Sequence, residues 1–95
     1  KTITLDVWAE EMNIDHIDLL WLDLQGCEQI VLQASPNILK TVKVVYAEVN
    51  YISLYEGGTL AHEFKSWMES NGFNVARELS SGYQEFGNVL FVKKN

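Results

Sequence analysis

Asp23 and Glu48 each close an apolar run, and they are the side chains of this sequence best placed to do chemistry. Asp23 follows Ile17-Asp18-Leu19-Leu20-Trp21-Leu22, and Glu48 follows Val42-Lys43-Val44-Val45-Tyr46-Ala47. If the two runs are parallel neighbouring strands, their backbones lie about 4.8 Å apart and both carboxylates reach one small volume beyond the sheet. Like charges so placed raise the pKa of one of them, toward the range where it accepts a proton from a substrate hydroxyl. The same pair can hold a hard cation. It can also be no more than two solvated strand ends bonded to nearby backbone N–H groups.

The neighbours of these acids extend the candidate site. Gln25 and Gly26 follow Asp23, and Gly26 allows a positive φ or the close approach of another backbone. Glu28 falls in the first turn of the next helix, where the helix dipole alone accounts for it, although it can also fix the turn that carries Asp23. Asn50, Tyr51 and Tyr55 follow Glu48 and can line a pocket at the same sheet edge, or pack locally. Cys27 has no histidine in a Cys/His arrangement and reads as a small buried residue. His16 and His62 lack ligand spacing, so a metal reading rests on carboxylates and no metal site is assigned. The six glycines form neither G-x-G-x-x-G nor a P-loop, so the chain carries no nucleotide-binding turn of its own.

The elements that must position these groups follow from periodicity. Thr4 caps a short helix with Leu5, Trp8, Ala9 and Met12 as its stripe and Asn13 as its stop. Ile17 to Leu24 is a strand apolar on both faces, as is Val42 to Val49 apart from Lys43. Between them a helix after Gly26 has Cys27, Ile30, Val31 and Ala34 as its stripe, and Ser35-Pro36 ends it and starts one further turn through Leu39. Thr59 caps a third helix, with Leu60, Phe64, Trp67 and Met68 in one stripe, ended by Asn71-Gly72. Phe73 to Leu79 and Asn88 to Lys93 form an antiparallel pair. Right-handed crossovers put the helices on one face. The other face is then bare, although each buried Leu or Val is worth roughly 1.5 to 3 kcal/mol. A missing N-terminal half, or a second copy giving a homo-oligomer, is expected to cover it.

Bulk properties bound the partners. Ninety-five residues make a single domain, 47% hydrophobic, with a net charge of −6 and no basic cluster to track phosphates, so nucleic acid is not expected to bind directly. With one cysteine there is no intramolecular disulfide, and a reducing, cytoplasmic setting fits. No apolar run reaches the roughly 18 to 20 residues that cross a bilayer, so no membrane partner is expected. The chain starts without Met and runs straight into patterned sequence, as expected of a piece of a longer protein.

Three segments together resemble a known family. Thr4-Leu5-Asp6-Val7-Trp8, the strand Ile17-Asp18-Leu19-Leu20-Trp21-Leu22 with its sequel Asp23-Leu24-Gln25-Gly26-Cys27-Glu28, and Tyr46-Ala47-Glu48-Val49-Asn50 are similar to the C-terminal half of FkbM-type S-adenosylmethionine-dependent methyltransferases. Asn88-Val89-Leu90-Phe91-Val92 resembles that family's closing strand. The resemblance implies an α/β, Rossmann-like fold with the strands ordered fourth, fifth, seventh, sixth, the last antiparallel, and three helices. It implies methyl transfer from S-adenosylmethionine to a hydroxyl of a small molecule, sugar or lipid. Asp23 would then orient substrate or cofactor and accept the proton, with Glu48 second and Glu28 fixing the loop. The family's glycine-rich cofactor loop has no counterpart here. Two other readings stand beside this one: a non-catalytic α/β fragment or self-associating domain, and a carboxylate Mg²⁺ site serving phosphate chemistry.

Overall fold

Local signals set the element ends. In the computed structural model, described for residues 3–24, 27–51, 60–79 and 85–94, the chain order is α1 (Leu5–Glu11), β1 (Leu19–Leu22), α2 (Glu28–Gln33), α3 (Pro36–Leu39), β2 (Val44–Asn50), α4 (Ala61–Ser70), β3 (Phe73–Leu79) and β4 (Phe86–Lys93). The Thr4 hydroxyl accepts the Val7 N–H at 3.1 Å, and Asn13 ends α1 with φ +57°. Pro36 begins α3, where its missing N–H costs nothing. The Leu60 N–H donates to Glu63 at 3.1 Å at the start of α4, while Thr59 lies outside the described residues. Gly72, which ends that helix, has φ +92° and open space where a Cβ would stand, so it is required for its backbone angle rather than its size.

The strands form one mixed sheet in the order β1-β2-β4-β3. β1 runs parallel to β2 with Leu19 opposite Val44 and Leu22 opposite Ala47. β4 is antiparallel to β2, from Val44 opposite Val92 to Asn50 opposite Phe86. β3 is antiparallel to β4, with a register shift between Val75 and Arg77. β1 is shorter than the apolar run that encodes it. β4 is longer at its start than Asn88, because Phe86 and Gly87 pair with Asn50 and Val49.

Alternation divides the sheet. Val45, Ala47 and Val49 of β2 with Val89 and Phe91 of β4 are buried against Leu32, Ile38, Leu39, Phe64 and Met68 of the helices. Phe64 and Phe91 meet edge to face at 5.4 Å. On the opposite face Trp21 is 75% exposed and Leu19 57%, with the Trp21 ring set against Tyr46. The smallest dimension of the Cα envelope, 18 Å, leaves room for one helix layer on the sheet.

Two helices bury a different face from the one their apolar spacing predicts. In α2 the buried residues are Glu28 and Leu32, whereas Ile30 is 53% exposed and Cys27, expected inside, is exposed. The cause is Glu28, whose carboxylate turns inward to accept the Leu24 N–H at 2.6 Å and brings Leu32, one helical turn on, into the core. In α1 only Ala9 is buried, and Trp8 and Met12 are not. That helix is fastened by a polar contact. The Asp6 carboxylate accepts the backbone N–H groups of Asn37 and Ile38 at 3.0 and 2.7 Å, the otherwise unpaired donors at the start of α3. The Ser35 hydroxyl returns a bond from the Asp6 N–H at 3.3 Å.

Candidate functional site

The parallel register sets Asp23 and Glu48 side by side. Leu22 stands opposite Ala47, so Asp23, the residue after β1, lies level with Glu48, two residues before the end of β2. Burial pushes the Glu48 carboxyl above the usual carboxylate range, and the charges of Asp23 and Glu28 push it further the same way. The three carboxylates therefore share one field. Glu28 is 4% exposed and bonds the Leu24 N–H, tying the first turn of α2 to the end of β1. A folded-state pKa above the unfolded one means that ionising Glu48 costs stability as pH rises through that interval. Carboxylates held at such a cost mark candidate sites.

Asn50 is on the same strand face as Glu48, two residues on, and is 4% exposed, with no partner for its Oδ1 among the described residues. Glu48 pairs across the sheet with Asn88, a half-buried residue on that same face. A cavity of about 370 Å³ is lined, among the described residues, by Glu85, Phe86, Gly87 and Asn88. Sequence reasoning missed Asn88 as a site residue, taking it only as the start of a strand. The signal was there in principle, as one amide interrupts an apolar alternation with Phe86, Leu90 and Val92. A second cavity, about 280 Å³ between Leu32, Leu39 and Trp67, has no carboxylate in its lining and lies near the starts of β2 and β3.

The hydroxyl of Tyr51 is committed elsewhere. It donates to the Glu78 carboxylate, and the Tyr51 N–H donates to the Glu85 carbonyl at 2.9 Å. Lys65 of α4 reaches both Glu78 oxygens at 2.9 and 3.1 Å. Glu78 pairs with the buried Val89 and so faces the helix layer, the opposite side from Glu48 and Asn88. Gln25 and Tyr55 lie outside the described residues. His16 is exposed between Asp15 and Asp18, and His62 is exposed on α4. Among the described residues no group of three or more His, Cys, Asp or Glu side chains is arranged to hold a metal ion, and no helix is long and apolar enough to cross a membrane.

The Glu78 contact carries a pH prediction. The Tyr51 hydrogen bond and then Lys65 hold its carboxyl below the usual range. A lowered folded pKa gives stability that is full above the unfolded value, near 4.3, and is lost as pH falls through the folded value. Half-exposed pairs of this kind contribute about 1 kcal/mol or less. Urea unfolding at pH 7 and below pH 4 is therefore expected to show Glu78→Gln less stable than wild type at neutrality, with the gap closing in acid. An equal gap at both pH values would remove the ionic role.

The comparisons with known proteins take in the segment that carries both acids. The family model described as the methyltransferase FkbM domain matches residues 1–75. The 2-O-methyltransferase NoeI of Sinorhizobium fredii is 37% identical over 57 residues, which are 60% of this chain and 24% of that protein. The matched stretch is thus about a quarter of that relative's length. No solved structure matches.

Proposed function

The chain belongs to the FkbM methyltransferase domain family, and on that premise we propose that it is the acceptor-side, C-terminal part of a larger enzyme that moves a methyl group from S-adenosylmethionine to a hydroxyl oxygen. The observation that carries this reading is that Asp23 and Glu48 lie level on two parallel strands, near enough to each other and to Glu28 of α2 for the charges of Asp23 and Glu28 to raise the Glu48 pKa. Ligands of open α/β sheets bind beyond the carboxyl ends of their strands. The order β1-β2-β4-β3, with β4 antiparallel, supports reading the sheet as the fourth, fifth, seventh and sixth strands of a Rossmann-like methyltransferase. The relative named for 2-O-methylation favours oxygen as the acceptor atom.

The donor, when bound, supplies an electrophilic methyl on a positively charged sulfur. The negative field of the three carboxylates suits that cationic centre, whereas this chain's glycines provide no turn for the nucleotide portion, whose binding falls to the rest of the enzyme. Asp23, exposed at the sheet edge, orients the acceptor. The acceptor oxygen forms the new C–O bond with its lone pair as the methyl–sulfur bond breaks and that electron pair stays on sulfur. Glu48 takes the hydroxyl proton, a service its raised pKa suits it for. Glu28 acts through the backbone, keeping Leu24, the neighbour of Asp23, in place.

Donor binding tests the reading. The complete enzyme is expected to melt at higher temperature in S-adenosylmethionine, because a ligand at 100 times its Kd stabilises by about 2.7 kcal/mol. No shift with either S-adenosylmethionine or S-adenosylhomocysteine would refute it. One observation favours a second reading, self-association through the bare face: the exposure of Trp21 at 75% and Leu19 at 57%. Sedimentation decides it, since a monomer at all concentrations leaves no such contact.

A further inference from the structure

A cleft with a different chemistry stands at the far end of β2 from the acids. The cavity of about 280 Å³ has a floor of buried Leu32 and Leu39, with Pro36 of α3 and the half-buried Trp67 of α4 in its walls. Lys40 and Asn71, the residues that end α3 and α4, also line it. Two further lysines meet these helix ends. Lys93 lies two residues beyond the buried Phe91, on the same face of β4, and its Nζ donates to the Lys40 carbonyl. Lys94 Nζ donates to the Glu69 carbonyl of α4 at 3.1 Å. Three of the chain's seven Lys and Arg residues thus gather around one cleft, although the net charge is −6.

We propose that this cleft binds a small aromatic carboxylate, with its ring against Trp67 and its anionic group at the Lys40 ammonium. The site is separate from the methyl-transfer reading and does not depend on it. Ligand pockets run from about 300 to 1,000 Å³, so a cleft just under that range takes one or two rings with short substituents. Its apolar floor disfavours a bare inorganic anion, which would give up water against Leu32 and Leu39 without compensation. Its cations favour a charged ligand over a neutral one of the same shape. Among the described residues no carboxylate pairs with Lys40, Lys93 or Lys94, whereas Lys43, just before β2, is taken by Asp18 at 3.7 Å. The bonds from Lys93 and Lys94 to carbonyls offset the negative ends of the two helices, which would otherwise turn an anion away. An ammonium has three donors, so each of these lysines keeps two after that bond.

Calorimetric titration of the complete enzyme tests this with two probes of similar shape, naphthoate and the neutral naphthalenemethanol, on wild type, Lys40→Gln and Trp67→Leu, with melting curves to confirm folding. Wild type is expected to bind naphthoate saturably and more tightly than the alcohol, with an affinity that falls as salt is added. Lys40→Gln should weaken naphthoate about two- to fivefold, the scale of an exposed charge contact, and leave the alcohol unchanged. Trp67→Leu should weaken both probes about tenfold through the lost ring contact. If Trp67→Leu does not fold, Trp67→Phe takes its place, with a smaller loss of both probes expected. Absence of saturable naphthoate binding by wild type, equal affinity for the two probes, or naphthoate affinity unchanged in Lys40→Gln or in the folded Trp67 variant overturns the inference.

Discussion

Replacing Glu48 by Gln is expected to lower kcat of the complete enzyme by about 10² to 10⁴-fold, the usual worth of a positioned general base, without lowering its stability. The second half of this expectation follows from the sign of the pKa shift. Glu48 is raised by burial and by the charges of Asp23 and Glu28, so ionising it costs more in the folded protein than in the unfolded chain. A neutral isostere removes that cost while keeping the shape. The variant should therefore unfold at an equal or higher denaturant midpoint than wild type. The pH–rate profile adds an independent readout, because wild-type kcat/KM should climb as pH rises through the Glu48 pKa and this acid limb should vanish in Glu48→Gln. A loss of activity accompanied by a loss of stability would instead make Glu48 a structural residue.

Glu28→Ala is expected to do the opposite, destabilising the protein by about 2–3 kcal/mol, the scale of a buried hydrogen bond to a charged group left without its acceptor. The side chain is 4% exposed, and its bond to the Leu24 N–H at 2.6 Å decides which face of α2 meets the core. Without it, the helix loses the constraint that places Leu32 inside. Glu28→Gln keeps an acceptor for Leu24 and should lose less. Denaturant unfolding measures both, and the midpoint should fall with little change in slope. A Glu28→Ala variant within 0.5 kcal/mol of wild type, the usual margin for surface changes, would show that the bond is not what orients α2.

The parts of the fold that were legible in the sequence are those in which one kind of force acts alone. Val44 to Val49 alternates between buried and half-buried positions as a strand must, and Phe73–Leu79 is found over the residues its pattern marks. The stripe of α4 buries Phe64 and Met68 as its spacing requires, and Gly72 ends the helix with the backbone angle that glycine favours. The parts that were not legible depend on polar contacts between segments. Counting apolar residues placed Ile30 and Cys27 inside, but the inward turn of Glu28 reverses that choice. Apolar spacing similarly pointed Trp8 and Met12 inward, whereas Asp6 fastens α1 through backbone donors of α3.

The site divides along the same line. The proximity of Asp23 and Glu48 required only two parallel strands ending in acids, and the register sets them side by side. Asn88 joins them through a pairing that begins at Phe86, two residues earlier than the strand pattern itself suggests. Tyr51, adjacent in sequence to the site, turns the other way because its hydroxyl meets Glu78, a residue 27 positions away. Neighbourhood along the chain is a weak guide at the end of a strand, where one residue more or less changes the face.

The most direct measurement is to incubate the complete enzyme with S-adenosylmethionine carrying an isotopically labelled methyl group and a panel of hydroxylated acceptors, and to locate the label. Label is expected on an acceptor oxygen with wild type, and it should nearly disappear at equal enzyme concentration with Glu48→Gln. Label on no oxygen of any acceptor, or transfer at the wild-type rate by Glu48→Gln, would contradict it.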